Sequence, residues 1–266
     1  MASSLRTTEA WSRQRLAVVL SVAAVALLVV IAGLGIAIVR LVLTADQPLA
    51  DVPGAAADDT DRRDRVAAEP MAEVPAEAGF TPDPALHPAP PITIPIATNG
   101  RGPAGVATGF PQTPEGAVGQ LAAIEQAVLE TMSLPVTREV HEAWTLPGAP
   151  AYEQWELTDN VASFLRSGKQ GGQQMDATTL VRATPAMAIV KGTDGPDWVV
   201  ACVLLDVEVS IRTDARMGYG HCSRMQWTDG RWQIAPGAAP ARAPSAWPGS
   251  AAAVAAGWLT WQEAGA

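Results

Sequence analysis

An apolar run near the N-terminus constrains this chain more than any other feature. From Leu16 to Val39 there are 24 consecutive residues without a charged side chain, and fifteen of them are Leu, Ile or Val. A helix of that length rises about 36 Å, which is enough to cross a hydrocarbon core of about 30 Å. A cleaved signal peptide is the alternative, but its apolar region usually has only about 7–15 residues. The sequence therefore predicts an uncleaved transmembrane helix over residues 16–43.

The basic residues around this run predict its orientation. Arg6, Arg13 and Arg15 precede it, whereas only Arg40 follows it closely. Because basic residues concentrate on the cytoplasmic side of a membrane, residues 1–15 are predicted to form a cytoplasmic tail. The rest of the chain would then lie outside the cytoplasm, in a single-pass protein of the cell membrane whose first partner is the lipid bilayer.

Residues 44–104 are predicted to form a disordered linker rich in Pro, Ala and acidic residues. Between residues 45 and 100 there are ten prolines and ten acidic residues against three arginines, with few large apolar residues. Such a segment buries too little surface to offset the conformational entropy lost on folding. One short stretch, Pro91-Ile92-Thr93-Ile94-Pro95, alternates in polarity and could form an edge strand or lie on a partner.

Globular patterning over residues 105–248 begins with three predicted helices. The first covers about 114–132, with Thr113 as its N-cap and Pro114 at its first position. Its apolar residues recur at helical spacing, and Glu125, Gln126 and Glu130 are expected on the opposite, polar side. Two further helices are predicted at about 137–145 and 150–166.

After residue 172 the hydrophobic period changes to two, which predicts an antiparallel sheet. The predicted strands are Thr178 to Val190, Trp198 to Ile211, and Tyr219 to Thr228. In the second strand the odd positions are apolar throughout, whereas the even positions become polar after Leu204, so one face should be buried fully and the other only in part. Asp229-Gly230 predicts a two-residue hairpin that pairs Thr228 with Arg231, Trp227 with Trp232 and Met225 with Ile234. A C-terminal helix over about 249–263, within a tail of 249–266, completes the α+β prediction.

The two cysteines, Cys202 and Cys222, fall on adjacent predicted strands. If the chain turns around Asp214, the numbers of facing residues sum to about 428, and Cys222 faces Asp206. A disulfide would need a sum of 424, and hence a bulge or an asymmetric loop. The regular hairpin therefore predicts that both thiols are free and packed as small apolar groups.

Several functional classes are disfavoured by composition. The formal net charge is −9 and no basic stripe is present, which argues against direct nucleic-acid binding. Two cysteines and three scattered histidines, His87, His141 and His221, make a metal site improbable. No phosphate-binding loop or catalytic motif occurs. The prediction is a protein that is not an enzyme, with no catalytic, cofactor-binding or metal-binding residues.

Three motifs suggest a resemblance. They are Gly109-Phe110-Pro111 with Thr113 to Val118, Trp227-x-Asp229-Gly230-x-Trp232, and the segment from Trp247-Pro248-Gly249-Ser250 to Trp258. They are similar to membrane-anchored proteins encoded beside conjugation genes in actinobacterial elements. Three helices followed by long antiparallel strands also resemble the cone-shaped fold of the nuclear transport factor 2 and ketosteroid isomerase superfamily, with helices packed on a curved sheet. The anchor, spacer and domain together resemble the inner-membrane scaffold subunits of type IV secretion systems.

The resemblance implies a non-catalytic scaffold or accessory subunit of a conjugative DNA-transfer apparatus. Its expected partners are other membrane subunits, and a homo-oligomer is left open. Gly33 and Ala37 form one pair of small residues at the spacing of a helix-packing face, but such pairs are common in apolar helices and do not by themselves indicate one. One alternative is a small-molecule binder or isomerase-like enzyme using the cone interior, for which Asp206, Glu208, Tyr219 and His221 are the candidates. Asp206 and Glu208 are expected to face water, and Tyr219 and His221 to pack near the sheet rim. Another alternative is an accessory of a lipid-import system.

Overall fold

The computed structural model describes residues 55–168, 171–211 and 214–265, with side chains from Asp59 onward. The predicted cytoplasmic tail and transmembrane helix lie outside these residues. Within the described part of the chain, no helix has both the length and the apolar character needed to span a bilayer.

The described chain is a mixed α+β structure with a curled, mainly antiparallel sheet that forms a half-barrel. Its helices are α1 Ala55–Ala68, α2 Pro114–Leu129, α3 Leu134–Trp144, α4 Glu156–Ser167 and α5 Ala251–Ala255. Its strands are β1 Pro91–Ile94, β2 Leu180–Thr193, β3 Trp198–Ser210, β4 Asp214–Thr228, β5 Arg231–Ile234 and β6 Leu259–Glu263. The strand order is β1-β6-β2-β3-β4-β5, and among the strands of the described residues only the β1–β6 pair is parallel.

The three central helices form where helical spacing predicts them, although their ends differ. Thr113 caps α2, because its side chain accepts a hydrogen bond from the Gly116 amide at 3.0 Å. The next helix, α3, begins earlier than expected, at a cap formed by Ser133, and it tolerates Pro135 in its first turn, where an amide proton is not required.

The β4–β5 hairpin confirms the predicted register at all three residue pairs. Asp229 and Gly230 have φ angles of 54° and 75°, the left-handed conformation that a two-residue turn of this type needs. Trp227 and Trp232 face each other across the strands, with ring centroids 5.5 Å apart. Local turn chemistry therefore determines this part of the sheet.

The sheet is buried on two faces, as the alternation in β3 predicted. The odd positions of β3 from Val199 to Val207 pack against α2, α3 and α4, and we call this side the helix face. The even positions from Trp198 to Leu204 pack against residues 66–89 and 235–258, and we call this side the strap face. Farther along β3, Asp206 is half-buried and Glu208 is exposed.

The prediction of a disordered linker is wrong for its described part. Within residues 59–104 the chain forms most of α1, the strand β1 and two short 3-10 helices. Arg63 on α1 donates to Asp194 at 2.6 Å, and Arg224 of β4 donates to Asp64 of α1 at 2.5 Å. Composition did not predict this ordered structure, because the charged residues form ion pairs with residues of the sheet that are distant in sequence. Ala67 and Ile94 are also buried against the sheet.

The predicted C-terminal helix is also wrong over most of its length. The helix α5 covers only Ala251–Ala255, and Gly257 then adopts a left-handed φ of 88°. Gly in this conformation commonly ends a helix. The following residues form β6, which joins β1 to β2, so tertiary pairing overrides the apparent helical spacing.

The prediction of two free thiols is wrong as well. Cys202 and Cys222 face each other and form a disulfide, with Cα atoms 4.0 Å apart. The strands pair from Ser210–Asp214 onward with residue numbers that sum to 424. The hairpin is regular, and the error lay in placing its turn two residues too late.

Candidate functional site

A cluster of polar side chains lies between the helix face of the sheet and two helices. We call these five residues the polar cluster: Glu125, Glu156, Asn160, Tyr219 and His221. His221 and Glu125 are almost fully buried, and the His221 Nδ1 atom lies 2.7 Å from the Glu125 Oε1 atom. The Tyr219 hydroxyl donates to Glu156 Oε1 at 3.0 Å and accepts from Asn160 Nδ2 at 2.7 Å.

Strand parity and helix spacing place these residues. Tyr219 and His221 are odd positions of β4, facing Leu205 and Val203 in the register, and therefore point to the helix face. Their rings are stacked with centroids 6.1 Å apart. Glu125 comes from the middle of α2, whereas Glu156 and Asn160 share one face of α4 because they are four residues apart.

The Glu125–His221 pair has perturbed proton affinities. Burial raises the pKa of Glu125 from 4.5 to about 7, and the hydrogen bond and charge of His221 offset part of that rise. Burial lowers the pKa of His221, but the hydrogen bond and negative charge of Glu125, with Glu156 behind it, outweigh burial and raise the pKa above 6.5. The pair therefore retains a proton near neutral pH, and titratable groups of this kind are common at functional sites.

Tyr219 remains protonated over the physiological range. Burial first, and then the charges of Glu156 and Glu125, raise the pKa of its hydroxyl well above 10. The hydroxyl consequently acts as a donor to Glu156. This bond holds the Glu156 carboxylate beside the aromatic rings.

A cleft of about 210 Å³ reaches the polar cluster from the surface. It lies between β4, the start of α4 and residues 235–243, and both His221 and Glu156 line it. Part of β4 is left without a strand on this side, because β5 pairs only with Met225–Thr228. The next segment returns to β4 through Ala235, whose amide donates to the Arg224 carbonyl at 2.8 Å, and through Ser245, whose hydroxyl accepts from the Gly220 amide at 3.0 Å.

His221 lines this cleft, and its two ring nitrogens differ in their contacts. Its Nδ1 atom is held by Glu125, and Nε2 has no hydrogen-bond partner among the described residues. Glu125 Oε2, in contrast, is a fully buried oxygen without a partner in the described structure. A buried carboxyl group thus fixes the orientation of the ring, a pairing that sets which nitrogen carries the proton.

The other two candidate residues lie elsewhere. Asp206 and Glu208 occupy even positions of β3 on the strap-face side and both pair with Arg216, the latter at 3.5 Å. The Arg216 guanidinium also lies over the Trp247 ring, 5.0 Å from its centroid. The structure therefore brings Tyr219 and His221 together and separates them from Asp206 and Glu208.

Sequence reasoning missed three members of the polar cluster. Glu125 was assigned to a solvent-facing side of α2, but it is fully buried, while Gln126 and Glu130 bond the main chain of Ala183 at 3.0 and 3.3 Å. The available signal was the near absence of polar residues in the first part of α2, where Gln120 is the one polar side chain from Gly116 to Ile124. Glu156 and Asn160 gave no sequence signal of their own.

The arrangement can hold a small polar ligand or exchange a proton with one. The described residues contain no group of three or more His, Cys, Asp and Glu side chains placed to hold a metal ion. Comparisons with protein-family models, with curated proteins and with solved structures each returned no match.

Proposed function

We propose that this protein is a single-pass membrane protein whose domain lies outside the cytoplasm and acts as a non-catalytic scaffold or accessory subunit of a conjugative DNA-transfer apparatus. Two sequence features support the proposal: the uncharged run from Leu16 to Val39, and the motifs that resemble membrane-anchored proteins encoded beside conjugation genes. The order of anchor, spacer and domain also resembles that of type IV secretion scaffold subunits. The half-barrel sheet with packed helices is compatible with the cone-like fold that the resemblance implies.

The observation that carries the proposal is the Cys202–Cys222 disulfide. Disulfides persist in extracellular and periplasmic compartments and are rare in the reducing cytosol. An oxidised pair buried in the central strands therefore favours a domain outside the cytoplasm, which agrees with the orientation that Arg6, Arg13 and Arg15 predict.

A topology reporter tests the first half of the proposal. A phosphatase that needs disulfides to be active, fused after Ala266, should be active in cells, and a reporter active only in the cytoplasm should be silent at the same site. The matched control replaces Arg6, Arg13 and Arg15 by Glu, which should reduce or invert the difference. A cytoplasmic C-terminus in the unchanged protein would rule out the proposal.

Co-purification from native membranes tests the second half. The expected partners are membrane subunits of a DNA-transfer complex, together with other copies of this chain. Recovery of lipid-import proteins instead would assign the protein to that system, and recovery of the chain alone as a monomer would contradict a scaffold role.

A small-molecule binder is the second candidate. The specific observation in its favour is the cleft that ends on His221, a ring whose orientation Glu125 holds from behind. Pockets with a few convergent polar groups and perturbed pKa values are the usual form of such sites.

A further inference from the structure

The cleft at the polar cluster presents hydrogen-bond acceptors on one side. Glu156 and Asp159 both belong to the first turn of α4 and both line the cleft. His221 lines the same cleft, is 5% exposed, and has Nε2 without a partner among the described residues. Two acidic residues and one histidine therefore line the same cleft.

The protonation state of the Glu125–His221 pair decides whether the Nε2 atom of His221 donates or accepts a hydrogen bond. When the pair has lost its shared proton, Nδ1–H of the neutral ring donates to the ionised Glu125 carboxylate, and the lone pair on Nε2 then accepts hydrogen bonds. All three groups are then acceptors, and they suit a ligand that supplies several donors and a positive charge.

Two arginines also line the cleft, and the buried Nε atom of Arg224 has no hydrogen-bond partner among the described residues. The Arg224 guanidinium pairs with Asp64 at 2.5 Å and its side chain is only 6% exposed. Gly237 covers it, since a Cβ atom there would come within 2.7 Å of Arg224 Nη1. Arg242 is exposed at the outer wall and can meet an anionic end of the same ligand.

We propose that this cleft binds a small organic cation, a primary ammonium or a guanidinium group, through Glu156, Asp159 and the Nε2 atom of His221. The chemistry is shared by free amines and by the end of a lysine or arginine side chain from a partner protein. This proposal rests on the second candidate function, the small-molecule binder, and specifies the class of its ligand. Binding of the cation does not depend on the membrane topology of the protein. A failed topology test and a failed binding test are therefore distinguishable.

The test is a titration of the full-length protein in detergent micelles with n-butylammonium chloride, followed by NMR of the histidine rings. His221→Gln assigns the resonance among the three histidines. A saturable shift of the His221 ring is expected, with tighter binding at about pH 8 than at about pH 5.5, because a cation favours the deprotonated pair. An equal shift with sodium butyrate, or no saturable shift at about 100 mM, a concentration that detects even very weak binding, would overturn the proposal.

Charge-neutral variants locate the binding groups. Asp159→Asn changes an exposed side chain, so its fold should be retained, and it should weaken butylammonium binding about fivefold. Glu156→Gln should weaken binding about tenfold, because Glu156 lies deeper in the cluster. Glu153→Gln is the matched control: it neutralises an acidic residue three positions away that does not line the cleft. An equal loss in the control and in Asp159→Asn would overturn the assignment.

A second pair of probes separates the two sources of the cation. Nα-acetyl-lysine N-methylamide carries a butylammonium side chain on a capped main chain. The diamine 1,4-diaminobutane carries the same group without a peptide main chain. Binding of the capped lysine at least as tight as that of butylammonium would identify a partner's side chain. Exclusion of the capped lysine, with binding of the diamine, would identify a free small amine.

Discussion

The two faces of the sheet are covered in different ways. On the helix face, α2, α3 and α4 bury long aliphatic and aromatic side chains, such as Leu121, Ile124 and Trp144. On the strap face, the cover is α1, α5 and irregular chain rich in Ala and Pro, and the buried cluster includes Ala67, Ala243, Ala246 and Ala253. The helices that cover the helix face follow from local hydrophobic periodicity. The cover of the strap face depends instead on ion pairs and on small residues that lie close to the strands.

The glycines of β4 show how close the second cover lies. A Cβ atom at Gly218 would come within 1.8 Å of the Ala246 carbonyl oxygen, and one at Gly220 within 2.6 Å of the Pro244 carbonyl oxygen. An irregular segment can therefore replace a helix as a cover when the sheet offers glycines for its backbone to approach. The polar cluster lies only on the helix face, where α2 and α4 supply its carboxyl groups.

Removing the strap cover should have the largest effect. A fragment that begins near Gly102 lacks α1 and β1, so Val200, Cys202 and Leu204 lose part of their cover and Arg224 loses Asp64. We expect it to lack cooperative urea unfolding, whereas the fragment 54–266 should unfold in one transition. Equal unfolding midpoints for the two fragments would show that residues 54–101 do not stabilise the fold.

Truncating one core side chain on each face compares the two covers directly. Leu205→Ala, on the helix face, should lower the free energy of unfolding by about 3–5 kcal/mol, because packed helices leave a cavity behind. Leu204→Ala, on the strap face, should cost about 2–3 kcal/mol, because irregular chain can move into the space. Both side chains are 0% exposed, and Leu180→Ala, at 52% exposed, is the control. Urea unfolding measures all three, and the reverse order would contradict the comparison.

Removing the disulfide should cost slightly less than truncating the helix face. The two cysteines are 20 residues apart, and a loop of that size contributes about 3 kcal/mol by restricting the unfolded chain. The double variant Cys202→Ala with Cys222→Ala should show this loss in urea unfolding. Intact mass after alkylation of the denatured, unreduced protein should show no added groups, and two additions would refute the bond.

Titration of the polar cluster should make stability fall as the pH rises. The pKa of Glu125 is raised from 4.5 to about 7, so the folded state keeps a proton that the unfolded state releases between these values. The raised pKa of His221 acts in the same direction, since its contribution is complete below pH 6.5 and is lost as the pH passes through the folded-state pKa. The free energy of unfolding should decrease by about 1–3 kcal/mol between about pH 5 and pH 8.

Glu125→Gln is the variant that sharpens this pH prediction. It keeps an acceptor for His221 and removes the titrating carboxyl group, so most of the slope between about pH 5 and pH 7 should disappear. Glu208→Gln, an exposed residue on the opposite side of the sheet, should leave the slope unchanged. An unaltered slope in Glu125→Gln would mean that other groups cause the pH dependence.

The smallest effect is expected at the ion pair that attaches α1. Asp64→Asn removes the carboxylate from Arg224, but the Asp64 side chain is 53% exposed, so water can replace part of the contact. We expect a loss of about 1 kcal/mol, reduced further at high salt. Asp61→Asn, an exposed neighbour on α1, is the control for the loss of one charge, and an equal effect there would assign the change to helix charge alone.

Two of the five members of the polar cluster were candidates from the sequence, and the arrangement of the cluster was not predicted. The sequence predicted that Tyr219 and His221 pack near the sheet rim, and the structure places both on the helix face of β4. Their carboxylate partners could not be predicted, because Glu125 and Glu156 are distant in sequence and only the packing of α2 and α4 brings them to β4. Asp206 and Glu208 were predicted to face the polar side, and there they pair with Arg216.

The sequence by itself determined the elements whose physics is local. The caps and periodicity of α2, the alternation of β3 and the Asp229-Gly230 turn each involve residues within a few positions of one another, so local geometry is sufficient to predict them. Only the tertiary structure decided that residues 59–104 are ordered, that β6 is a strand and that Cys202 and Cys222 are bonded. Each depends on a partner far along the chain: α1 on Asp194 and Arg224, β6 on β1 and β2, and the disulfide on the position of a turn that no local residue pattern specifies.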